Sequence, residues 1–341
     1  MKYLPFGSTG VSVSEVGFGA IPIIRLSFGD AERTLRRAFD LGVTLFDTAN
    51  AYHDSEEKIG AALSPVRDKI FLATKTMKRD GPSTAEHIDL SLKRLKTDYI
   101  DLFQFHQVSK EEQWEKITGP GGAMEAALKA RDEGKIRFIG ITSHSLPLAI
   151  KFTGSGLFST VQFPFNFIEE AAAEELHPLA KEKDVAVLSM KPFGGGAIAN
   201  ASLAFKFLRS HENHFPIPGF DSPESVEQIL KIYESANSVT EEDLAAMEAV
   251  RNELGGQFCR RCEYCMPCPF GVNIPGGMIY PLHASRMSPE VSRNFAAPAM
   301  DTIPQCTECG VCMTKCPYTL PIPEMLKKHY ELYTGHKGTG S

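Results

Sequence analysis

The chain has 341 residues, 43% of them hydrophobic and 23% charged, which suits a globular protein with one large core and a second small one. A net charge of −6 argues against a nucleic-acid backbone as the main partner. No run approaches the roughly 20 apolar residues that span a bilayer, and the opening MKYLPFGSTG lacks a secretory-signal pattern. The expected location is therefore the cytoplasm, with neither membrane nor nucleic acid as a partner.

The first segment, KYLPFGSTGVSVSEV, reads as two short strands around Ser8-Thr9-Gly10, a hairpin placed to plug the bottom of whatever follows. From Gly17 to about Ala236, short apolar runs alternate with amphipathic stretches. The runs are VGFG (16–19), TLFDTA (44–49), KIFLATK (69–75), YIDLFQFH (99–106), RFIGITS (137–143), TVQFPFN (160–166), VAVLSMKP (185–192) and HFPIPG (214–219). A continuous apolar run flanked by helices is a strand buried on both faces, as a parallel sheet requires. The stretch 30–42 predicts a helix with Leu35, Ala38, Phe39 and Leu41 inward and a stop at Gly42. STAEHIDLSLKRLK predicts another, capped by Ser83 with Glu86 three residues on.

Eight such units over roughly 220 residues fit a closed (β/α)8 TIM barrel better than an open doubly wound sheet. The polar residues Asp47, Lys75, His106, Ser143 and Asn166 all fall at C-terminal strand ends, which converge on one mouth only in a barrel. No GxGxxG follows the first strand. The last helix of this part, TEEDLAAMEAVRNELGG, is capped at Thr240 and stops at Gly255-Gly256. That double glycine sets the expected boundary, with a barrel over 1–255, a small domain over 256–334 and a disordered tail over 335–341.

Asp47 and Tyr52 share one loop, Lys75 ends the next strand and His106 the one after. A Lys beside a buried carboxylate stays charged, and a nearby ammonium lowers a tyrosine pKa. Such a tyrosine can protonate a carbonyl oxygen as hydride arrives, with the histidine orienting that oxygen. Over most of residues 1–250 the sequence resembles the aldo-keto reductase family, through FDTANAYHDSEEKIGAAL, FLATK, LKRLKTDYIDLFQFH, GKIRFIGITSHS, VQFPFN and KPFGGG. The resemblance implies NAD(P)H-dependent reduction of a small carbonyl substrate. It makes Tyr52 the general acid, Lys75 its modulator, Asp47 the partner of Lys75 and His106 the orienter. It also implies that Ser143, His144 and Gln162 surround the nicotinamide carboxamide and that Phe193 faces the ring. Gly194, Gly195 and Gly196 would then approach the pyrophosphate.

At the adenosine end, IPGFDSPESVEQIL departs from the family. Past Gly219, Asp221 stands where a cation is expected, followed by Ser222, and Gln228 and Ile229 replace an acidic-Asn pair. A carboxylate repels a 2′-phosphate but accepts a bond from a ribose 2′-hydroxyl, so NADH is favoured over NADPH.

All eight cysteines lie between Cys259 and Cys316, and the first 258 residues have none, a distribution of metal ligands rather than scattered disulfides. The runs CRRCEYCMPCP and CTECGVCMTKCP resemble the ferredoxin pattern for two [4Fe-4S] clusters, in which the fourth cysteine of each run crosses to the other cluster. Carried over, Cys259, Cys262, Cys265 and Cys316 hold one cluster, while Cys306, Cys309, Cys312 and Cys268 hold the second. The last gap of the first run is one residue short, so Cys268 closing its own cluster is the alternative; thiolate-bound zinc is the competing occupant. The module is an electron-transfer or structural appendage to the reductase. It could instead make the protein a ferredoxin-linked reductase that feeds electrons to a barrel-bound substrate or flavin, or an electron carrier with an idle barrel. Residues 256–341 carry a net +2 against −8 elsewhere, which would suit an acidic electron-transfer protein.

Overall fold

The computed structural model describes residues 1–255, 258–260, 264–316 and 318–337. The chain divides into two compact units. Met1–Gly194 with Ile198–Thr240 forms the first, and Gly195–Ala197 with Glu241–Ser341 the second. The helix Glu241–Gly255, expected to close the barrel domain, is thus grouped with the C-terminal unit. Among the described residues no helix is long and apolar enough to cross a membrane.

In the first unit, β1 (Tyr3–Pro5) and β2 (Ser12–Ser14) form an antiparallel hairpin. Eight parallel strands follow: β3 (Phe18–Gly19), β4 (Leu45–Asp47), β5 (Phe71–Thr76), β6 (Ile100–Phe105), β7 (Ile136–Thr142), β8 (Thr160–Pro164), β9 (Ala186–Met190) and β10 (His214–Pro216). Each pairs with its sequence neighbour, and each lies within or one residue beyond an apolar run picked out above. The sheet closes on itself: Gly17 N donates to Pro216 O at 2.8 Å, Gly19 N donates to Pro218 O at 2.8 Å, and Gly19 bridges Gly219 in parallel. At that seam a Cβ on Gly19 would lie 2.7 Å from Ile217 O, so only glycine lets the first and last strands meet.

The hairpin does plug the barrel. Phe6 and Val13 are fully buried in one cluster with Leu45, Phe71, Leu102, Leu188 and Phe215. The Phe6 ring meets Phe71 at 5.0 Å and Phe215 at 4.8 Å, both edge-on, and Ser8 N donates to Asp184 O. Sealing this end leaves the C-terminal strand ends as the open mouth.

Two local expectations need correction. The helix Gly81–Leu95 is capped by Asp80, whose carboxylate accepts from Ser83 N at 2.9 Å; Ser83 lies one turn inside, because Pro82 suits the first turn and moves the start upstream. The helix Phe28–Asp40 is capped by Ser27 and buries Ala31, Thr34, Leu35 and Ala38, whereas Phe39 and Leu41 are only half-buried.

The second unit is built from helices among its described residues. Ile274–Met278, Pro289–Met300 and Ile322–Lys337 surround a core of Val272, Ile274, Met278, Tyr280, Met300, Ile303, Leu320, Leu326 and Tyr333. Tyr280 and Tyr333 meet edge-on at 5.4 Å, and their hydroxyls are satisfied by His336 Nδ1 (2.8 Å) and Asp301 (2.9 Å). Six of the cysteines pack against this core.

Candidate active site

A buried ion pair lies inside the barrel. Lys75 Nζ lies 2.6 Å from Asp47 Oδ2 and donates to Thr48 O at 2.7 Å; both side chains are nearly inaccessible. Strand register places the pair, since Asp47 and Ala73 are direct partners on β4 and β5 and Lys75 lies two residues further along the same face. The second oxygen of Asp47 accepts from Gln104 Nε2 at 3.0 Å, so the carboxylate is gripped from β5 and β6 at once. Burial alone would strip the Lys75 proton, but Asp47 and Tyr52 outweigh it and hold the Lys75 pKa above its ordinary value.

Tyr52 is brought to this pair by a tight turn after β4, in which Tyr52 N donates to Ala49 O and Ser55 N to Tyr52 O. The Lys75 ammonium is 5.1 Å from the centre of the Tyr52 ring. His106, the first residue past β6, meets the Tyr52 ring edge-on at 5.6 Å. The structure thus brings Asp47, Tyr52, Lys75 and His106 together. One expectation is reversed: burial raises the Tyr52 pKa more than Lys75 lowers it, and Asp47 adds to the rise. Burial, helped by the charges of Lys75 and Arg79, pushes His106 down to about 3. His106 is therefore neutral at pH 7, with a buried Nδ1 that has no hydrogen-bond partner among the described residues.

Ser143, the first residue past β7, lies beside Gln162 in the middle of β8, with Ser143 N donating to Gln162 O at 3.0 Å. Both side chains are buried, and Gln162 Oε1 has no partner among the described residues. His144 follows, its N–H donating to Ser109 Oγ. Phe193 is half-buried beside Phe205 at 5.7 Å. Gly194, Gly195 and Gly196 have φ of +56°, +76° and +102°, a left-handed path that strains any other residue.

Gly219 sits under Pro22, where a Cβ would come within 2.6 Å of the proline ring. Asp221 is exposed and faces the Arg25 guanidinium at 3.6 Å. Ser222 caps the helix Pro223–Tyr233 in a reciprocal box with Ser225, and Gln228 is exposed on that helix.

Three residues escaped the sequence reading. Gln104 lies two positions before His106, so the period of a strand would have put both on the inward face. Asn166 was noticed only as a polar strand end. Its side chain donates to Lys191 O (3.0 Å) and Glu169 and accepts from the N–H groups of Ile168 and Glu169, fixing the turn after β8. Arg79 gave no signal, being one cation in a polar loop.

In the second unit the cysteines line two cavities. One is lined by Cys265, Cys268, Cys306, Cys309 and Cys312, with Phe270, Val272, Ile274 and Leu326 around them. The other is walled by Cys259, Cys265 and Cys316, with Met278, Leu320 and Ile322. Cys262 lies outside the described residues. No carboxylate lines either cavity among the described residues; soft thiols dominate the polar groups each offers an occupant, with Arg260 also lining the second.

The family model for the aldo/keto reductase family matches residues 15–204, more than half of the chain, and one for a 4Fe-4S dicluster domain matches residues 258–321. Among curated proteins, the aldo-keto reductase YhdN of Bacillus subtilis is 31% identical over 245 residues, covering 64% of this chain and 72% of that protein. The uncharacterized oxidoreductase YqkF of the same organism is 28% identical over 258 residues, covering 72% of this chain and 82% of its own. Among solved structures, the holo form of aldo-keto reductase AKR11C1 from Bacillus halodurans aligns with a TM-score of 0.64 at 23% identity. That alignment covers 73% of this chain and 96% of the other, a likeness of fold.

Proposed function

The chain belongs to the aldo/keto reductase family of oxidoreductases and carries a C-terminal 4Fe-4S domain, and from that premise we propose that its barrel reduces a small carbonyl substrate with NAD(P)H, Tyr52 acting as the general acid. The observation that carries this is the Tyr52 phenol held against a buried, charge-balanced lysine with a neutral imidazole edge-on beside it. When bound, the dinucleotide supplies the hydride. Its amide group fits the mouth, because the buried Gln162 oxygen lacks a donor among the described residues and Ser143 stands next to it.

Each residue then has a defined task. Neutral His106 can donate a hydrogen bond to the substrate oxygen without delivering its own proton, and so orients it. Tyr52, with its raised pKa, keeps its proton until that oxygen becomes strongly basic, and then gives it up toward the position where charge develops. The Lys75 ammonium stabilises the tyrosinate that remains, and Asp47 keeps Lys75 protonated inside an apolar barrel. At the adenosine end, the exposed Asp221 supports NADH over NADPH, since a carboxylate favours a ribose hydroxyl over a phosphate.

In the C-terminal unit, the grouping of Cys268 with Cys306, Cys309 and Cys312, and of Cys316 with Cys259 and Cys265, supports two [4Fe-4S] clusters with crossed fourth ligands. Such clusters supply one-electron transfer when present. Cys309 is exposed, which favours exchange with an electron-transfer protein over a purely structural role.

Tyr52→Phe tests the barrel chemistry. Carbonyl reduction should fall to background while fluorescence titration still shows NADH binding, tighter than NADPH. Turnover retained by the variant would refute the assignment.

A further inference from the structure

His106 stands at a point where the backbone is under strain. The next residue, Gln107, has φ of +54°, a left-handed conformation that a side-chain-bearing residue adopts only when its surroundings impose it. What imposes it is a guanidinium. Arg79, from the loop after β5, donates from Nη2 to His106 O at 2.6 Å and to Gln107 O at 3.4 Å. Its Nη1 donates to Thr76 O at 3.4 Å and Lys78 O at 3.2 Å. The backbone of Arg79 is itself fixed, since Ala123 N donates to Arg79 O at 3.0 Å. From the other side, Thr142 Oγ1 accepts from Gln107 N at 2.7 Å.

This is an unusual use of arginine. The side chain is half-buried, and burial alone accounts for the fall of its pKa to about 10, with no carboxylate opposing it among the described residues. A desolvated cation without a counter-ion is retained against a cost. Its planar fork reaches the carbonyl ends of two neighbouring strands, which the point charge of a lysine cannot do.

We infer that Arg79 is a positioning residue, clamping the His106–Gln107 turn to the end of β5 so that the imidazole keeps its edge-on pose against Tyr52. The inference rests on the reading of His106 as the group that orients the carbonyl oxygen. The charged and titratable groups around His106 are Tyr52 from the β4 loop, Lys75 with its partner Asp47 from β5 and β4, and Arg79 itself. Removing Arg79 therefore leaves burial, helped by Lys75, to keep the imidazole neutral, and what changes is its place.

The test compares wild type, Arg79→Met and Arg79→Lys in the full chain, with the His106 ring signal identified in histidine-labelled protein by its loss in His106→Asn. Arg79→Met should shift or broaden that signal while those of His177, His211 and His214 stay in place. It should also lower kcat at least tenfold and leave the NADH dissociation constant unchanged. Arg79→Lys keeps the charge and loses the fork, so it should displace the same signal and recover only part of kcat. If the methionine variant does not fold, the lysine variant alone decides. A His106 signal unmoved in the folded variants overturns the inference, as does full kcat in Arg79→Lys. The ring signal is read without turnover, so failure of the clamp is distinct from failure of the Tyr52 chemistry.

Discussion

Replacing Asp47 by asparagine isolates the electrostatic share of the buried Asp47–Lys75 ion pair. The carboxylate has two oxygens and two donors, Lys75 Nζ at 2.6 Å and Gln104 Nε2 at 3.0 Å, whereas the new amide has only one oxygen. That oxygen can stay with Lys75, because Gln104 Oε1 has no partner among the described residues and Gln104 can flip its amide to accept from the new NH2 group. Thr48 O still accepts from Lys75. Hydrogen bonding is thus nearly conserved, and what is lost is the counter-charge of a buried ammonium. Breaking a buried pair costs about 3–5 kcal/mol, and the surviving acceptors put this case near about 3. For a unit of this size about 3 kcal/mol lowers Tm by roughly 6–12 °C.

The pH dependence fixes the cause of that loss. In the wild type the Lys75 pKa is raised, so its contribution is complete below the unfolded value of about 10.4 and is lost only as pH rises through the still higher folded value. In Asp47→Asn the ammonium is buried without a counter-ion and its pKa falls. The unfolded state then binds the extra proton, and the variant gains stability as pH rises from 7 toward 10. Anaerobic thermal melts of both proteins at pH 7, 8.5 and 10 should show the gap closing. A variant within 2 °C of wild type at pH 7, or a gap that is constant with pH, would refute the reasoning.

Two further outcomes follow from other parts of the molecule. His177 and His214 are stacked at 5.3 Å against Phe165, and burial lowers them to about 3 and about 4. Their stabilising effect is present above about pH 6.5 and drains away as pH falls toward those values, at about 1.4 kcal/mol per pH unit for each. His177→Phe orphans no partner, since His177 Nε2 makes no hydrogen bond among the described residues. Because buried His106 contributes the same slope, urea midpoints followed by circular dichroism between pH 6.5 and 4.5 should decline about a third less steeply, and parallel curves would exclude the cause. In the C-terminal unit, Cys268→Ala should halve the iron and leave the same residual electron-paramagnetic-resonance signal as Cys312→Ala, with Cys316→Ala matching Cys259→Ala. If Cys268→Ala instead matches Cys259→Ala, the ligands do not cross.

What the sequence could disclose follows from the range of the forces involved. The eight strands were legible because burial on both faces leaves apolar runs such as IFLA (70–73) and VAVL (185–188), and the grouping of Asp47, Tyr52, Lys75 and His106 because they fall at or just past the ends of three successive strands. The cysteine spacing announced a metal-binding module because covalent ligand geometry is local. The cap at Asp80 was missed by three residues, since Ser83 satisfies the same pattern and only the position of Pro82 separates them. The direction of the Tyr52 pKa could not be read either. It is a difference between desolvation, a property of everything around the phenol, and one nearby charge, and only the second leaves a mark in the sequence.

Arg79 is the instructive omission. Its effect runs through main-chain carbonyls, which every residue possesses, so no side-chain pattern pairs it with His106. The same holds for Gln107, whose left-handed backbone would have been expected of glycine or asparagine. A catalytic residue advertises its chemistry in its identity, whereas a residue that positions it through the backbone advertises nothing. The identities of polar strand-end residues can therefore be read from a sequence, while the backbone contacts that hold them cannot.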